Sequence, residues 1–315
     1  MTKYFISGGA GFIGGHLVDR LVANGSSVTV YDNLSSGKEK HIQHHFGKAN
    51  FNFIKADLAD TKTLNQAIKG HDFVFHLAAN PDAREGIKNP ALDLNIGTIA
   101  TFNVLEAMRQ NGIKKMVFSS SGTVTGDTAA LPVTEEYGPL LPISLYGASK
   151  VAGEGLMSAF CHVFEMQAYI FRFANIIGPR ATHGVIYDFI NKLRKNSREL
   201  EILGDGTQAK PYLLVEDCLD GIFCALKNSD KQCEIYNLGC NSTTSVKRIA
   251  ETVVKEMGLQ DVRFKYAGGK RGWRGDVPQF QFNVEKMRGL GWSATHTSDE
   301  AVQIAIRRIL AEDKL

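Results

Sequence analysis

Short apolar runs recur along the N-terminal half of the chain. "KYFIS" (3–7), "SVTVYD" (27–32), "FNFIKAD" (51–57), "DFVFHLAA" (72–79) and "KKMVFSSS" (114–121) read as strands with few polar positions, as strands buried on both faces must be. Helical periodicity fills the gaps. Ile13, Leu17 and Leu21 recur on one helical face. "ADTKTLNQAIKG" is bounded by a capping Asp60 and a terminating Gly70, and residues 91–110 read as one longer helix. Alternating strand and helix predicts an α/β fold built on a doubly wound parallel sheet of the Rossmann type.

After "YIFRFANIIG" (169–178) the alternation stops and helices separated by loops dominate. Val246, Ile249, Ala250, Val253, Val254 and Met257 trace one apolar helix face. Thr297 and Glu300 have capping-box spacing at the start of a last helix. "PYLLVED" (211–217) reads as a strand that returns to the first domain. The expected organisation is a domain over 1–175, rejoined by about 211–235, and a smaller mixed α/β lobe over 176–315, the two sharing a cleft.

Composition narrows the function. With 36 basic and 33 acidic side chains, the net charge of +3 is too balanced for a nucleic-acid or membrane-surface binder. No apolar run reaches the roughly 18 residues needed to cross a bilayer. The opening "MTKYFISGGAGFIGG" does not read as a signal peptide, so a cytoplasmic enzyme is expected. Cys161, Cys218, Cys224, Cys233 and Cys240 show no C-x-x-C spacing and are expected to be reduced, with Cys218 and Cys224 packed in a helix.

Two motifs carry chemistry. In "SGGAGFIGG" (7–15), Gly8, Gly11 and Gly14 form G-x-x-G-x-x-G between the first strand and the first helix. Glycines there let backbone amides approach a pyrophosphate at the positive helix end. Asp32 ends the second strand 18 residues after Gly14. A carboxylate in that place accepts from both ribose hydroxyls and repels a 2′-phosphate, which selects NAD over NADP. In "YGASK" (146–150), Tyr146 and Lys150 share a face if the segment is helical. A nearby ammonium favours the phenolate and makes tyrosine a usable base.

These motifs, with "DNLSSG" (32–37), "AD" (56–57), "HLAA" (76–79) and "SSS" (119–121), resemble the extended short-chain dehydrogenase/reductases, and within them nucleotide-sugar 4-epimerases of the UDP-galactose 4-epimerase kind. The resemblance spans nearly the whole chain. It implies that Gly8, Gly11, Phe12, Ile13 and Gly14 cradle the pyrophosphate of NAD, and that Asp32 and Asn33 hold the adenosine ribose. It places Asp57 and Leu58 along the adenine, Leu77, Ala78, Ala79 and Ser119 under the cofactor, and Asn95 in support of that region. Ser121, Tyr146 and Lys150 become the catalytic group, with Lys150 on the nicotinamide ribose. Asn175, Ile202 within "LEILG", and Lys210 and Tyr212 within "KPYLLVED" become substrate contacts. The implied reaction interconverts UDP-glucose and UDP-galactose, or their N-acetylhexosamine analogues, through a 4-keto sugar. Competing readings are a sugar-nucleotide dehydrogenase or ketoreductase and a non-catalytic dinucleotide sensor. A homodimer is implied, joined through 92–110 and 147–164.

Some positions depart from the pattern. Gly122 and Thr123 follow Ser121 where dehydratases carry an acidic pair, and Thr123 also replaces the glutamate of sugar-acid decarboxylases. Thr125 stands for a common tyrosine and Pro81 for a lysine found in some epimerases. Lys210 replaces an arginine, losing the bidentate fork for phosphate. In "KRGWRGD" (270–276), Trp273 sits where relatives carry the diphosphate arginine, leaving Arg271, or else Arg274, to serve. His41, His44 and His45 in "HIQHHFG" have metal-like spacing but no acid or cysteine that completes a ligand set, so a solvated loop and no metal is expected, and His183 reads as either a substrate contact or a surface residue.

Overall fold

A computed structural model describes residues 1–312 of the 315-residue chain. The first five apolar runs form β1 (Lys3–Ser7), β2 (Ser27–Asp32), β3 (Phe51–Lys55), β4 (Phe73–His76) and β5 (Lys115–Ser121). Helix α1 (Phe12–Ala23) joins β1 to β2 and buries Leu17 and Leu21, two of the periodic positions. Helix α2 (Thr61–Ile68) starts where Asp60 accepts from the Thr63 amide at 3.0 Å. The pairings β4–β5, β1–β4, β1–β2 and β2–β3 are parallel.

The segment expected as one helix over 91–110 is broken. After a short α3 (Glu85–Lys88), it is divided among α4 (Pro90–Asp93), a π-helical turn over Leu94–Ile99 and α5 (Ala100–Gln110). The widened turn carries Gly97 against Ser149, where an added Cβ would lie 2.6 Å from the serine Cβ. π-Turns inside helices often mark functional sites.

Two strands complete the central sheet. Helix α6 (Leu145–Phe164) leads into β6 (Gln167–Phe173), and β7 (Asn175–Ile177) follows at once. Next come α7 (Val185–Lys195), β8 (Glu199–Ile202), β9 (Ala209–Lys210), β10 (Tyr212–Leu214), α8 (Val215–Asn228) and β11 (Cys233–Leu238). The seven-stranded order is β11-β6-β5-β4-β1-β2-β3. The strand in "PYLLVED" forms, as β10, but pairs with β7, and the strand that returns to the central sheet is β11. Only the last three residues of β11 are buried, which is why its sequence gives a weak signal.

The chain divides into two compact units. The first comprises 1–121, 148–172 and 228–236, and the second 122–147, 173–227 and 237–312. The second contains β12 (Thr244–Ser245), α9 (Val246–Glu256), β13 (Arg263–Tyr266), α10 (Glu285–Gly289) and α11 (Ser298–Glu312). Its core gathers Phe189, Ile190 and Leu193 of α7, Ile249 and Val253 of α9, and Ala305 and Ile306 of α11. The capping box at α11 is present, with the Thr297 amide donating to Glu300 Oε2 at 2.9 Å and the Glu300 amide to Thr297 Oγ1 at 3.4 Å. Among the described residues no helix is long and apolar enough to cross a membrane, and none of the five cysteines is in a disulfide.

One buried ion pair crosses the interior of the first unit. Arg172 of β6, 2% exposed, donates through Nε and Nη2 to both carboxylate oxygens of Glu154 on α6, at 2.9 and 2.8 Å. Ser120 Oγ donates to the same carboxylate at 2.6 Å. Removing one partner strands the other charge, at a cost of about 3–5 kcal/mol. Glu154→Gln or Arg172→Met should each lower unfolding stability by about that amount, and the double variant should recover much of the loss. Urea unfolding of the four proteins measures this cycle.

Candidate active site

The glycine-rich loop is shaped by what it lacks. Gly8 has φ +76°, and a Cβ on it would lie 2.6 Å from the Ala78 backbone nitrogen. A Cβ on Gly14 would collide with the carbonyl oxygen of Gly8. The loop closes through Gly11 N–H to Gly8 O at 3.1 Å, and Gly15 N–H to Gly11 O at 2.9 Å begins α1. No side chain caps the helix at Gly11 and its first turn holds no acid, so the helix start is a positive pole with nothing built in to neutralise it. These features fit a pyrophosphate.

Asp32, at the end of β2, is 8% exposed. Its Oδ2 accepts from Ala10 N–H at 3.0 Å and its Oδ1 from Leu34 N–H at 2.8 Å. The carboxylate thus ties the glycine loop to the strand end, and each oxygen retains capacity for a second donor. Burial raises its pKa against those two amides. Asn33 Nδ2 donates to Asp57 Oδ2 at 2.7 Å, while Asp57 Oδ1 accepts from Ala59 N–H. The Leu58 side chain packs in the apolar core at 8% exposure. Leu77, Ala78 and Ala79 continue from β4 half-buried, and Asn95 is exposed on the π-turn.

Tyr146 and Lys150 are one turn apart on α6, as the sequence spacing required. Tyr146 is half-buried and Lys150 is 1% exposed. Lys150 Nζ donates to the carbonyl of Ser119 at 2.6 Å and lies 4.9 Å from the Phe118 ring centre. Burial pushes its pKa down to about 8, while the fields of Asp93 and Glu154 oppose that fall. Ser121 is half-buried at the end of β5.

Several groups around Lys150 were given no role by the motifs. His76 is fully buried and pushed down to about 3 by burial and by the Lys150 charge, so it is neutral. Thr101 Oγ1 donates to Gly97 O at 2.6 Å and is 2.9 Å from His76 Nε2. With the hydroxyl hydrogen spent, Thr101 accepts from Nε2–H, and Ser7 Oγ–H donates to Nδ1 at 2.6 Å. Asp93 is 1% exposed, its Oδ1 held by Asn80 Nδ2 at 3.0 Å and its Oδ2 buried without a partner. Burial raises the Asp93 carboxyl and Lys150 lowers it. Glu154 follows Lys150 by four residues, a spacing that could have flagged it; Asp93 has no such signal.

The second unit gathers a charged cluster. Lys210 Nζ lies 2.5 Å from Asp276 Oδ1, and Arg271 Nη1 donates to the Asp276 carbonyl at 2.5 Å. Arg271 Nη2 also pairs with Asp127. Gly272 N–H closes the turn onto Asp276 Oδ2 at 3.0 Å. Arg274 is exposed and has no hydrogen-bond or ion-pair partner among the described residues. Asn175 opens β7 and its Nδ2 donates to Pro211 O at 3.3 Å. Two expected contacts point elsewhere. Ile202 is wholly buried in the core because strand alternation turns it inward, leaving Leu203 exposed, and Tyr212 is 5% exposed. His183 is half-buried.

The model of the NAD dependent epimerase/dehydratase family matches residues 4–239. The chain belongs to this family. It is an NAD-dependent isomerase of the nucleotide-sugar epimerase kind within the extended short-chain dehydrogenase/reductases. A UDP-glucose 4-epimerase of Mycolicibacterium smegmatis is 31% identical over 265 residues, 82% of this chain and 84% of that one. A crystal structure of a UDP-galactose 4-epimerase superimposes with TM-score 0.89 at 39% identity, covering 100% of both chains. A UDP-glucuronic acid 4-epimerase from Bacillus cereus, in complex with UDP-glucuronic acid and NAD, gives TM-score 0.89 at 26% identity over 99% of this chain and 100% of that one.

In this epimerase-family chain a methyl group at Gly14 occupies space held by the Gly8 carbonyl. Gly14→Ala should therefore weaken NAD binding by at least about tenfold, a loss of 1.4 kcal/mol or more. Isothermal titration of cofactor-stripped protein measures the change.

Proposed function

We propose that this protein is an NAD-dependent UDP-sugar 4-epimerase acting in the cytoplasm, with UDP-glucose and UDP-galactose as its substrates or, as the nearest variation, their N-acetylhexosamine analogues. The observation that carries the reading is the buried Lys150 one turn from Tyr146, in a chain whose glycine loop fits a dinucleotide. NAD, when bound, would supply a reversible hydride acceptor for the sugar. Tyr146 takes the proton of the 4-hydroxyl and later returns it. The Lys150 cation favours the phenolate form of Tyr146, bringing its pKa toward the working pH. Ser121 donates a hydrogen bond to the same sugar oxygen. The resulting 4-keto sugar turns over and is reduced on its other face, so no net redox change occurs.

Gly8, Gly11, Phe12, Ile13 and Gly14 would hold the pyrophosphate of NAD, and Asp32 and Asn33 the ribose. Lys210 and Arg271 would meet the substrate diphosphate. Both are already oriented by Asp276, which reduces the ordering cost of binding. Asn175 would assist them. The missing acids after Ser121 count against dehydration and decarboxylation. Retention of both Tyr146 and Lys150 counts against a non-catalytic sensor. Exposed Leu94, Ile99, Phe102 and Val163, on the π-turn, α5 and α6, support a homodimer through those helices.

Purified enzyme given UDP-galactose should form UDP-glucose with no net absorbance change from reduced cofactor. Stoichiometric cofactor reduction would instead identify a dehydrogenase. Tyr146→Phe should abolish turnover and leave NAD retention intact, as read by mass spectrometry of molecules released on denaturation. Arg271→Ala should raise KM by at least about tenfold through the lost charge-assisted bonds, whereas Arg274→Ala, which leaves the Asp276 cluster whole, should change KM by less than about twofold. Steady-state kinetics on the two variants separates these roles.

A further inference from the structure

The histidine-rich segment is not a solvated loop. Residues Glu39–His41 and Gln43–His45 form two short 3-10 turns, and His41 and His45 are buried. His41 Nδ1 lies 3.0 Å from the carbonyl of Ala10 in the glycine loop. An acid does join the histidines, supplied by α1. Asp19 Oδ1 is 2.7 Å from His44 Nε2 and 2.6 Å from His45 Nε2. The two imidazole rings are 4.0 Å apart between centres, and one donor atom from each of the three residues lies within 4.8 Å of the others.

We propose that Asp19, His44 and His45 form a binding site for a single divalent transition metal ion of the zinc type. Two imidazole nitrogens and one carboxylate oxygen are borderline ligands that suit zinc, nickel and copper rather than magnesium or calcium. Bond lengths of about 2.0–2.2 Å place tetrahedral ligands roughly 3.3 Å apart. The present N···O separations need open by only about 0.6 Å to admit the ion. The side chain of His44 is 47% exposed and that of Asp19 31%, so both have room for that shift and solvent can supply the fourth ligand. His45, at 5%, is the fixed member.

Lys48 sets the metal-free state. Its Nζ is 2.9 Å from His45 Nδ1 and donates to it, which leaves the ring proton on Nε2, directed at Asp19. On ligation that proton moves to Nδ1, and Lys48, exposed, turns its ammonium to solvent. The site is separate from the residues assigned to NAD and substrate. It clamps α1 to the segment that follows the ribose-binding Asp32 and Asn33.

The test uses the full chain, free of any affinity tag and treated with chelator, titrated with zinc chloride alone by calorimetry. One ion per chain is expected, with affinity falling in acid as the ligands take up protons in competition with the ion. His44→Gln, at an exposed position, should weaken zinc binding by at least about tenfold and leave NAD binding unchanged. Asp19→Asn should do the same. Zinc should raise the thermal midpoint of the parent chain and not of His44→Gln. Zinc bound equally well by parent and His44→Gln, or no uptake by the parent, would overturn the site.

Discussion

The ammonium of Lys150 lies inside the first unit with almost no contact with water. A cation there must be held by its surroundings or give up its proton. The carbonyl of Ser119, the face of Phe118 and the fields of Asp93 and Glu154 hold it. Each of these is fixed in turn. Glu154 is gripped by Arg172 and Ser120, and Asp93 by Asn80. His76 is kept neutral by its burial and its two hydroxyl partners, so it adds no competing charge. The interior of the sheet is therefore an electrostatic scaffold as well as an apolar one, and the cation at its centre is the one the proposed chemistry needs.

Much of the fold was legible because buried strands and amphipathic helices must repeat their apolar residues with fixed periods. The five N-terminal strands, the Asp60 cap and the Thr297–Glu300 box followed from local pattern alone. What was not legible depended on tertiary packing. The π-turn at Leu94–Ile99 is shaped by the close approach of Gly97 to Ser149, which lies far along the chain. "PYLLVED" looked like a strand of the central sheet because Tyr212, Leu213 and Leu214 are all buried, yet burial does not say which neighbour a strand will take.

The same division holds for the candidate site. The glycine loop, Asp32 and the Tyr146–Lys150 spacing lie within short stretches, so sequence reveals them. Asp93, His76 and the Asp19 partner of the histidine pair meet their neighbours only through folding. Ile202 and Leu58 were placed near ligands by motif position, and the fold packs both side chains into apolar clusters, which motif position does not reveal.

Asp276 is gripped at once by a lysine, an arginine and a backbone amide. Such sharing constrains how the family line that includes this chain can diversify. If Lys210 and Arg271 meet the substrate as proposed, a change of charge at 210 leaves the Asp276 carboxylate under-satisfied, and one at 271 frees the Asp276 carbonyl. On that proposal, drift in ligand preference would advance by correlated pairs of substitutions rather than by single exchanges.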